Sequence, residues 1–279
     1  MRQLSLYIVI ILIVIITGCG SDKAAITTKN GVSQYKNSSI EITKVIDTIN
    51  INVDSGNLQI YLDDKNEIDF RVKHTIRDYK TNEELEKLLK KYSITSKKQK
   101  NSLFFTVHYR DKIKGTQTVC SDIKLTISRR IKKINISQQL GSLAIEDKYE
   151  GDIVAKLDSV NSEIKSMEGK LSFECVTGNL RLNSGKLLDG SLVDINSGSI
   201  YVKAECMDKS KYSFKTQKGN IRLNFPVSSD ILLESFGTVQ NNQFTGLVGN
   251  IEIETSTKMG KISVNGYWNR TKKWEKLHK

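Results

Sequence analysis

The chain has 279 residues, of which 43 are Lys or Arg and 31 are Asp or Glu, giving a formal net charge of +12. This length allows one elongated or two compact domains. A hydrophobic content of 38% is enough for a core and argues against wholesale disorder and against a multi-span membrane protein. One proline and four cysteines exclude proline-rich or collagen-like sequences and a disulfide framework.

Residues 1–18 have the layout of an export signal. A positive charge at Arg2 precedes an apolar segment, residues 4–16, which ends in small residues. As a helix this segment would span roughly 20 Å, which is short of the ~30 Å hydrocarbon core of a bilayer. The pattern therefore predicts a cleaved signal peptide rather than a permanent transmembrane helix.

The four residues Ile16-Thr17-Gly18-Cys19 resemble the bacterial lipobox. The resemblance implies a diacylglyceryl group on the thiol of Cys19 and cleavage on the amino side of that residue. Two acyl chains suffice for stable anchoring, so we expect a protein anchored by lipid to the cell membrane, on its extracytoplasmic face. An ordinary signal peptide that happens to end in cysteine is the alternative. Residues 19–44 are polar and predict a tether.

Residues 45–133 combine alternating segments with one helix. Three segments between residues 49 and 72 alternate apolar with polar side chains, as half-buried strands do. Thr81 and Glu84 have the spacing of a capping box, and leucines follow at helical spacing. A membrane-surface amphipathic helix is the alternative. We expect a surface helix laid across a sheet, within a strand-helix-strand cap.

Residues 134–266 carry an internal repeat of about twenty residues. Corners such as Thr177-Gly178-Asn179-Leu180 and Ser197-Gly198-Ser199-Ile200 recur at this period, and a second set falls between them. Glycine suits such corners because it reaches positive φ without a steric penalty. Stacked units of this kind predict an all-β fold, a single-chain parallel β-solenoid with coils of about 20 residues. An antiparallel β-sandwich is the alternative, although its tight Asn-Gly and Asp-Gly hairpins are scarce here.

The alternation also predicts which side chains of the repeats point inward. Cys175 and Cys206 are in phase with these residues, so we expect buried free thiols, with a disulfide between them as the alternative. The predicted inward residues are Leu171, Phe173, Cys175, Leu180, Leu182, Ile200, Val202, Ala204, Cys206, Ile221, Leu223, Ile251, Ile253, Ile262 and Val264.

The serial Ser-Gly-x-Ile and Gly-Asn-Leu corners, the strand-helix-strand insertion and the segment Leu223-Asn224-Phe225-Pro226 resemble the putative-adhesin β-solenoid family. This is a domain of unknown function found in bacterial envelope proteins. The resemblance covers roughly residues 46–266. It implies attachment to a surface and transfers no catalytic residues.

No motif for catalysis or metal binding stands out. The histidines, His74, His108 and His278, are far apart and lack the spacing of a zinc site. Nucleophile elbows, phosphate loops and calcium loops are absent from the sequence. We therefore expect no catalytic residue, metal or cofactor. A polysaccharide-acting enzyme on a β-helix scaffold is the alternative and needs clustered outer carboxylates. The candidates are Glu146, Asp147, Glu150, Asp152 and Asp158.

Two basic segments are candidates for contact with an anionic surface, and solvated side chains are the alternative. One segment precedes the repeats, and the other lies in the basic tail, residues 267–279. The candidate residues are Arg129, Arg130, Lys132, Lys133, Arg270, Lys272 and Lys273.

The sequence thus predicts a non-catalytic envelope protein. Its partners would be the membrane, through lipidated Cys19, and a cell-wall polymer or another surface protein. The export signal argues against nucleic acid as a partner. An envelope-stress sensor component is a further alternative.

Overall fold

The computed structural model describes residues 23–28, 31–42, 46–76, 81–110, 119–244 and 249–268. Strands dominate these residues, and one short helix accompanies them, so the all-β prediction is confirmed. Within these ranges, no helix is both long enough and apolar enough to span a membrane. The predicted signal peptide and lipidation site lie outside the described residues.

The described residues form 19 strands and one helix. They are β1 (Lys23–Thr28), β2 (Gly31–Glu41), β3 (Thr48–Asp63), β4 (Glu67–Ile76), α1 (Asn82–Leu89), β5 (Tyr92–Gln99), β6 (Ser102–Tyr109), β7 (Val119–Ser128), β8 (Lys133–Glu150), β9 (Asp152–Gly169), β10 (Leu171–Thr177), β11 (Leu180–Leu182), β12 (Gly185–Leu187), β13 (Leu192–Ser197), β14 (Ile200–Lys203), β15 (Glu205–Cys206), β16 (Ser210–Lys218), β17 (Ile221–Pro226), β18 (Ile231–Asn242) and β19 (Ile251–Tyr267).

The strands pair in parallel along two main ladders, and a short third ladder joins β9, β12 and β15. The first ladder runs through β3, β8, β9, β10, β13, β16, β19 and β18, and it uses the N-terminal parts of the longer strands. The second ladder runs through β3, β8, β9, β11, β14, β17, β19 and β18, and it uses their C-terminal parts. From β8 to β17, paired residues of successive strands are 18 to 21 residues apart. The pairing of β16 and β17 with β19 spans 41 residues, because β18 lies between them in the chain.

The prediction of a β-solenoid is wrong. All strands belong to one sheet, which closes into an eight-stranded parallel barrel. The repeat of about twenty residues fixes the offset between parallel neighbours. It does not by itself decide how the sheet closes, and the sequence pattern could therefore not distinguish the two arrangements.

Residues 45–133 contain the predicted strands and helix, and their first long strand is part of both ladders. Thr48 of β3 pairs with Lys133 of β8, in a parallel register that spans 85 residues of chain. Between these two strands the chain forms antiparallel pairs, β4 with β7 and β5 with β6. The helix α1 contributes no buried residue. The strands of residues 45–133 therefore belong to the same sheet as the repeats.

Much of the segment predicted as a tether is strand. β1 and β2 form an antiparallel pair, and β2 then pairs along its whole length with β4. The register places Asn37 beside Arg71 and Tyr35 beside Lys73. The polar composition that suggested a tether instead belongs to a strand whose outward side chains are polar.

The core is built from the inward side chains of both ladders. Every inward residue predicted from the repeats is buried except Cys206, which is half-buried. Phe173 and Phe214 are completely inaccessible to solvent and fill the centre of the first ladder. Full burial of a side chain of this size contributes about 1.5–3 kcal/mol to stability. The alternation of apolar and polar residues therefore fixes which face of each strand is buried.

A column of hydrogen bonds explains why Asn or Ser follows the corner glycines. The backbone N–H of Asn179 donates to Oδ1 of Asn161 at 3.1 Å, and that of Ser199 donates to Oδ1 of Asn179 at 2.8 Å. The N–H of Asn220 then donates to Oγ of Ser199, and that of Lys261 to Oδ1 of Asn220. Each Asn or Ser side chain thus accepts a hydrogen bond from the backbone N–H at the equivalent corner of the neighbouring strand.

Candidate functional site

The outward side chains of the second ladder form one continuous polar surface, which we call the second face. Its central row contains one residue from each of seven neighbouring strands. At ~4.8 Å per strand the row is about 29 Å long. Its members, in register order, are Gln59, Ala144, Glu163, Arg181, Tyr201, Arg222 and Ser263.

Side-chain contacts hold the basic and aromatic groups of the second face in place. The guanidinium of Arg181 lies 4.5 Å from the ring centroid of Tyr201, and its Nε donates to Oδ1 of Asn183 at 2.8 Å. Next to this pair, Nζ of Lys203 lies 4.9 Å from the ring centroid of Tyr267. Such cation–π contacts contribute about 0.5–1 kcal/mol at exposed sites. The result is a surface on which tyrosine rings are held beside basic side chains.

The second face continues at one end into a recess on the antiparallel strands β2, β4 and β7. Two adjoining depressions, of about 520 Å³ and about 430 Å³, share Arg71 and Lys124 as lining residues. We call the two together the basic cleft. Its outward side chains include Tyr35, Asn37, Tyr61, Arg71, Lys73 and Lys124. This recess brings basic, aromatic and amide groups into reach of one ligand.

A groove of about 510 Å³ lies on the outer surface of the first ladder. Glu174 and Asp194 are register neighbours there, with Lys156 on the far side of Glu174. Asp158 also lines the groove. Of the carboxylates proposed for an enzyme, this groove contains only Asp158.

Three of the other candidate carboxylates serve structural roles. The backbone N–H of Leu62 donates to Asp147 at 3.0 Å, and that of Lys170 donates to Asp152 at 3.0 Å. Glu150 accepts a hydrogen bond from Lys148 at 2.7 Å, which lowers the pKa of its carboxyl. The Asp147 contact joins β3 to β8, the Asp152 contact joins β9 to the residue before β10, and the Glu150 contact lies within β8. The three carboxylates do not line one groove. Across the part of the chain that the structure describes, no group of three or more His, Cys, Asp or Glu side chains could hold a metal ion.

The structure describes some, but not all, of the basic residues predicted for surface contact. Arg129 is in an ion pair with Asp64 at 3.2 Å and donates to the carbonyl of Lys148 at 3.3 Å. Arg130, Lys132 and Lys133 are exposed around the start of β8. Four other predicted site residues, Cys19, Arg270, Lys272 and Lys273, lie outside the described residues.

His74 and Ser121 form a buried pair. Nδ1 of His74 lies 2.9 Å from Oγ of Ser121, and the imidazole stacks on Tyr92 with ring centroids 4.0 Å apart. Burial, followed by the nearby charge of Lys36, lowers the pKa of His74 to about 4. Because His74 is 3% exposed and Ser121 is 0% exposed, this pair is out of reach of a substrate.

Cys175 and Cys206 are free thiols, as the sequence predicted. Cys175 lies in the first ladder next to Leu157 and Ile195, whereas Cys206 pairs with Leu187 in the β12–β15 bridge. Their separate positions in the sheet explain why no disulfide joins them. Burial raises the pKa of both thiols, and that of Cys206 reaches about 12.

The basic cleft escaped the sequence analysis. Arg71, Lys73 and Lys124 occupy outward positions of alternating segments, and nothing in their spacing marks them. They meet only because β4 and β7 pair in antiparallel register. The sequence hints at the basic cleft only in that these three basic residues lie on the polar side of alternating segments.

Comparisons with known proteins give distant structural likenesses. No protein-family model matches the chain, and no curated protein matches it. Among solved structures, a putative cell adhesion protein from Clostridium sporogenes ATCC 15579 covers 84% of this chain and 100% of its own, with 11% identity and a TM-score of 0.38.

Two proteins from Parabacteroides distasonis ATCC 8503 are also similar. A putative adhesin covers 84% of this chain and 97% of its own, with 12% identity and a TM-score of 0.39. A putative lipid binding protein covers 84% of this chain and 96% of its own, with 16% identity and a TM-score of 0.32. These neighbours carry the names of adhesins and of a lipid-binding protein, and at these scores their functions are not transferred to this chain.

Proposed function

We propose that the protein is a non-catalytic binding protein of the bacterial envelope, anchored to the extracytoplasmic side of the cell membrane by lipid on Cys19. In this proposal the second face binds a cell-wall polymer. The observation that carries the proposal is the row of outward side chains that crosses seven parallel strands and contains Arg181, Tyr201 and Arg222.

The second face suits an extended ligand. Strand neighbours repeat every ~4.8 Å, so a linear polymer that crosses the strands meets a new side chain at each step. Tyrosine rings and basic side chains are the groups that carry much of the energy in binding surfaces. Their spread over about 29 Å supports binding along a chain, whereas catalysis needs groups that converge on one reacting atom.

The export signal and the lipobox-like sequence support the anchoring part of the proposal. A Cys19→Ser variant should leave the membrane fraction and appear in the soluble fraction, because it lacks the acceptor thiol. Cys175→Ser is the matched control, since that thiol is buried in the core, and it should stay in the membrane fraction. Retention of the Cys19→Ser variant in membranes would contradict lipid anchoring.

Sedimentation with purified cell walls tests the binding part. The full-length protein in detergent should sediment with the walls, and a Tyr201→Ala/Arg222→Gln variant should sediment at least fivefold less. A Lys156→Gln/Lys258→Gln variant changes exposed residues of the first ladder and should sediment as the wild type does. Equal sedimentation of all three proteins, or none of any, would contradict a role for the second face.

A further inference from the structure

We propose that the basic cleft binds one acidic sugar or polyol unit of a linear envelope polymer, with Arg71 and Lys124 holding its carboxylate or phosphate group. This inference rests on the proposed function and names the ligand class for one end of the second face.

Arg71 and Lys124 place two positive charges next to each other on paired strands, which destabilises the sheet. The two residues are direct register partners on the antiparallel strands β4 and β7. Like charges in this position destabilise a sheet. Among the residues that the structure describes, neither side chain is in an ion pair with a carboxylate. An acidic ligand group between them would relieve the repulsion.

The surrounding groups match a hydroxylated unit. Asn37 lines one depression of the cleft beside its register partner Arg71, and its Oδ1 has no hydrogen-bond partner in the described part of the chain. Tyr35 lines one depression of the cleft and Tyr61 lines the other, with Arg71 and Lys124 common to both. Sites of this kind fix a ligand with a few polar groups beside apolar ring surfaces.

The net charge of the cleft favours a single acidic unit over a charged membrane surface. Arg71, Lys73 and Lys124 carry three positive charges, and Asp69 and Asp122 on the same outward surface carry two negative ones. Polybasic patches that bind anionic membranes have four to eight uncompensated basic residues. One guanidinium and one ammonium group instead suit one carboxylate or phosphate, which Arg can bind through two parallel hydrogen bonds.

The polymer can continue from the cleft onto the second face. Lys124 of β7 is the register partner of Gln59, the first residue of the central row. A chain leaving the cleft in this direction would reach Glu163 and Arg181 after crossing β8. The cleft therefore provides a charged anchor for one unit, and the second face provides weaker contacts for the next ones.

The test measures binding of defined probes to full-length protein that carries Cys19→Ser, because detergent would dissolve vesicles and a lipid anchor would insert into them. This lipid-free protein is the wild type of the comparisons below, and each further variant is made in it. The probes are oligogalacturonate, its neutral methyl ester, poly(glycerol phosphate) and phosphatidylglycerol vesicles. We expect the wild type to bind oligogalacturonate or poly(glycerol phosphate) at least tenfold more tightly than the methyl ester, and to lose affinity as salt increases. The preferred anionic probe identifies whether the acidic group is a carboxylate or a phosphate.

An Arg71→Gln/Lys124→Gln variant should bind the preferred probe at least tenfold more weakly than the wild type. Its midpoint of thermal unfolding should equal or exceed that of the wild type, because the substitutions remove a repulsive pair. The Lys156→Gln/Lys258→Gln variant removes the same charge from exposed positions of the first ladder and should retain wild-type affinity. Equal losses in the two variants would overturn the proposal, since they would indicate a general charge effect.

Three further outcomes would also overturn it. The first is that the wild type binds the methyl ester as tightly as oligogalacturonate. The second is that the Arg71→Gln/Lys124→Gln variant loses affinity for the vesicles but for neither anionic polymer. The third is that this variant binds the preferred probe as tightly as the wild type does. If the wild type sediments with cell walls but binds none of the anionic probes, the ligand class is wrong and the proposed function stands. If it binds neither walls nor probes, the proposed function fails too.

Discussion

A methyl group placed on Gly198 would lie 1.7 Å from the backbone oxygen of Gly178, its counterpart one repeat earlier. The two glycines therefore stack at a corner of the sheet with no room for a side chain between them. Gly198 also has a φ of +148°, where other residues are strained.

Gly198→Ala should destabilise the protein by about 3 kcal/mol or more, because the obstructing atom is backbone and cannot move away. The measurement is urea denaturation followed by circular dichroism. Gly190→Ala is the control: its φ is +71°, but its nearest neighbour is the flexible end of Lys170 at 2.9 Å. We expect Gly190→Ala to destabilise the protein by about 1–2 kcal/mol, because only the positive φ disfavours a side chain there. Equal losses at both positions would contradict the steric argument.

The buried imidazole of His74 should make stability depend on pH. Its pKa is about 4 in the folded protein and 6.5 in an ordinary environment. As the pH falls below 6.5, His74 becomes protonated in the unfolded chain but stays neutral in the folded protein. The free energy of unfolding therefore decreases between about pH 6.5 and pH 4. At about 1.4 kcal/mol per pKa unit, the loss approaches roughly 3 kcal/mol.

Comparison of the wild type with His74→Gln isolates this contribution, because other groups titrate equally in both proteins. The measurement is urea denaturation at pH 7, 5.5 and 4. The difference in stability between the two proteins should shift by roughly 3 kcal/mol in favour of the variant as the pH is lowered. A difference that stays constant with pH would show that His74 takes up its proton in the folded state.

Tyr149 buries a hydroxyl that has no hydrogen-bond partner among the described residues. Burial accordingly raises the pKa of this phenol well above its usual range. Tyr149→Phe should increase stability by about 1 kcal/mol, because it removes an unsatisfied polar atom from the core. Tyr212→Phe is the matched control, since the Tyr212 hydroxyl donates to Leu187 at 3.0 Å and accepts from Met207 at 2.9 Å.

Removal of the Tyr212 hydroxyl should instead cost about 1–2 kcal/mol. Both free energies of unfolding come from denaturation in urea. A loss of stability in Tyr149→Phe similar to that in Tyr212→Phe would mean that the Tyr149 hydroxyl has a partner in solution, such as bound water.

The thiol of Cys206 should react slowly in the folded protein. A pKa of about 12, raised by burial from 9.0, reduces the thiolate fraction at pH 8 by roughly a thousandfold. Alkylation with iodoacetamide, followed by peptide mass spectrometry, should therefore label Cys206 only after denaturation. A peptide that links Cys206 to Cys175, or rapid labelling of the native protein, would contradict this prediction.

Local features of the fold were predictable from the sequence. The N–H of Glu84 donates to Oγ1 of Thr81 at 3.1 Å, as the capping-box spacing predicted, because a helix cap depends only on adjacent residues. The inward side of the strands also followed from alternation, since Phe173 and Ile200 are buried at the expected positions. Both predictions use information within a few residues of chain.

Features that depend on distant partners were not predictable. Nothing near Arg71 in the sequence shows that Lys124 will be its strand partner, so the basic cleft was missed. The polar composition of β2 predicts a tether, because its partner β4 lies beyond the intervening β3 in the chain and leaves no mark near β2. Closure of the sheet is likewise a property of the whole arrangement, which a repeat of turn residues does not determine.

The long separation between β3 and β8 has a consequence for the order of folding. The strands from β8 to β17 pair with neighbours about twenty residues away, so their loops close at little entropic cost. β3 must wait until 85 further residues are available before its register with β8 can form. Pairings of high contact order form slowly. We therefore expect the strands from β8 to β17 to assemble first. The pairing of β3 with β8, which joins the basic cleft to the second face, should form late.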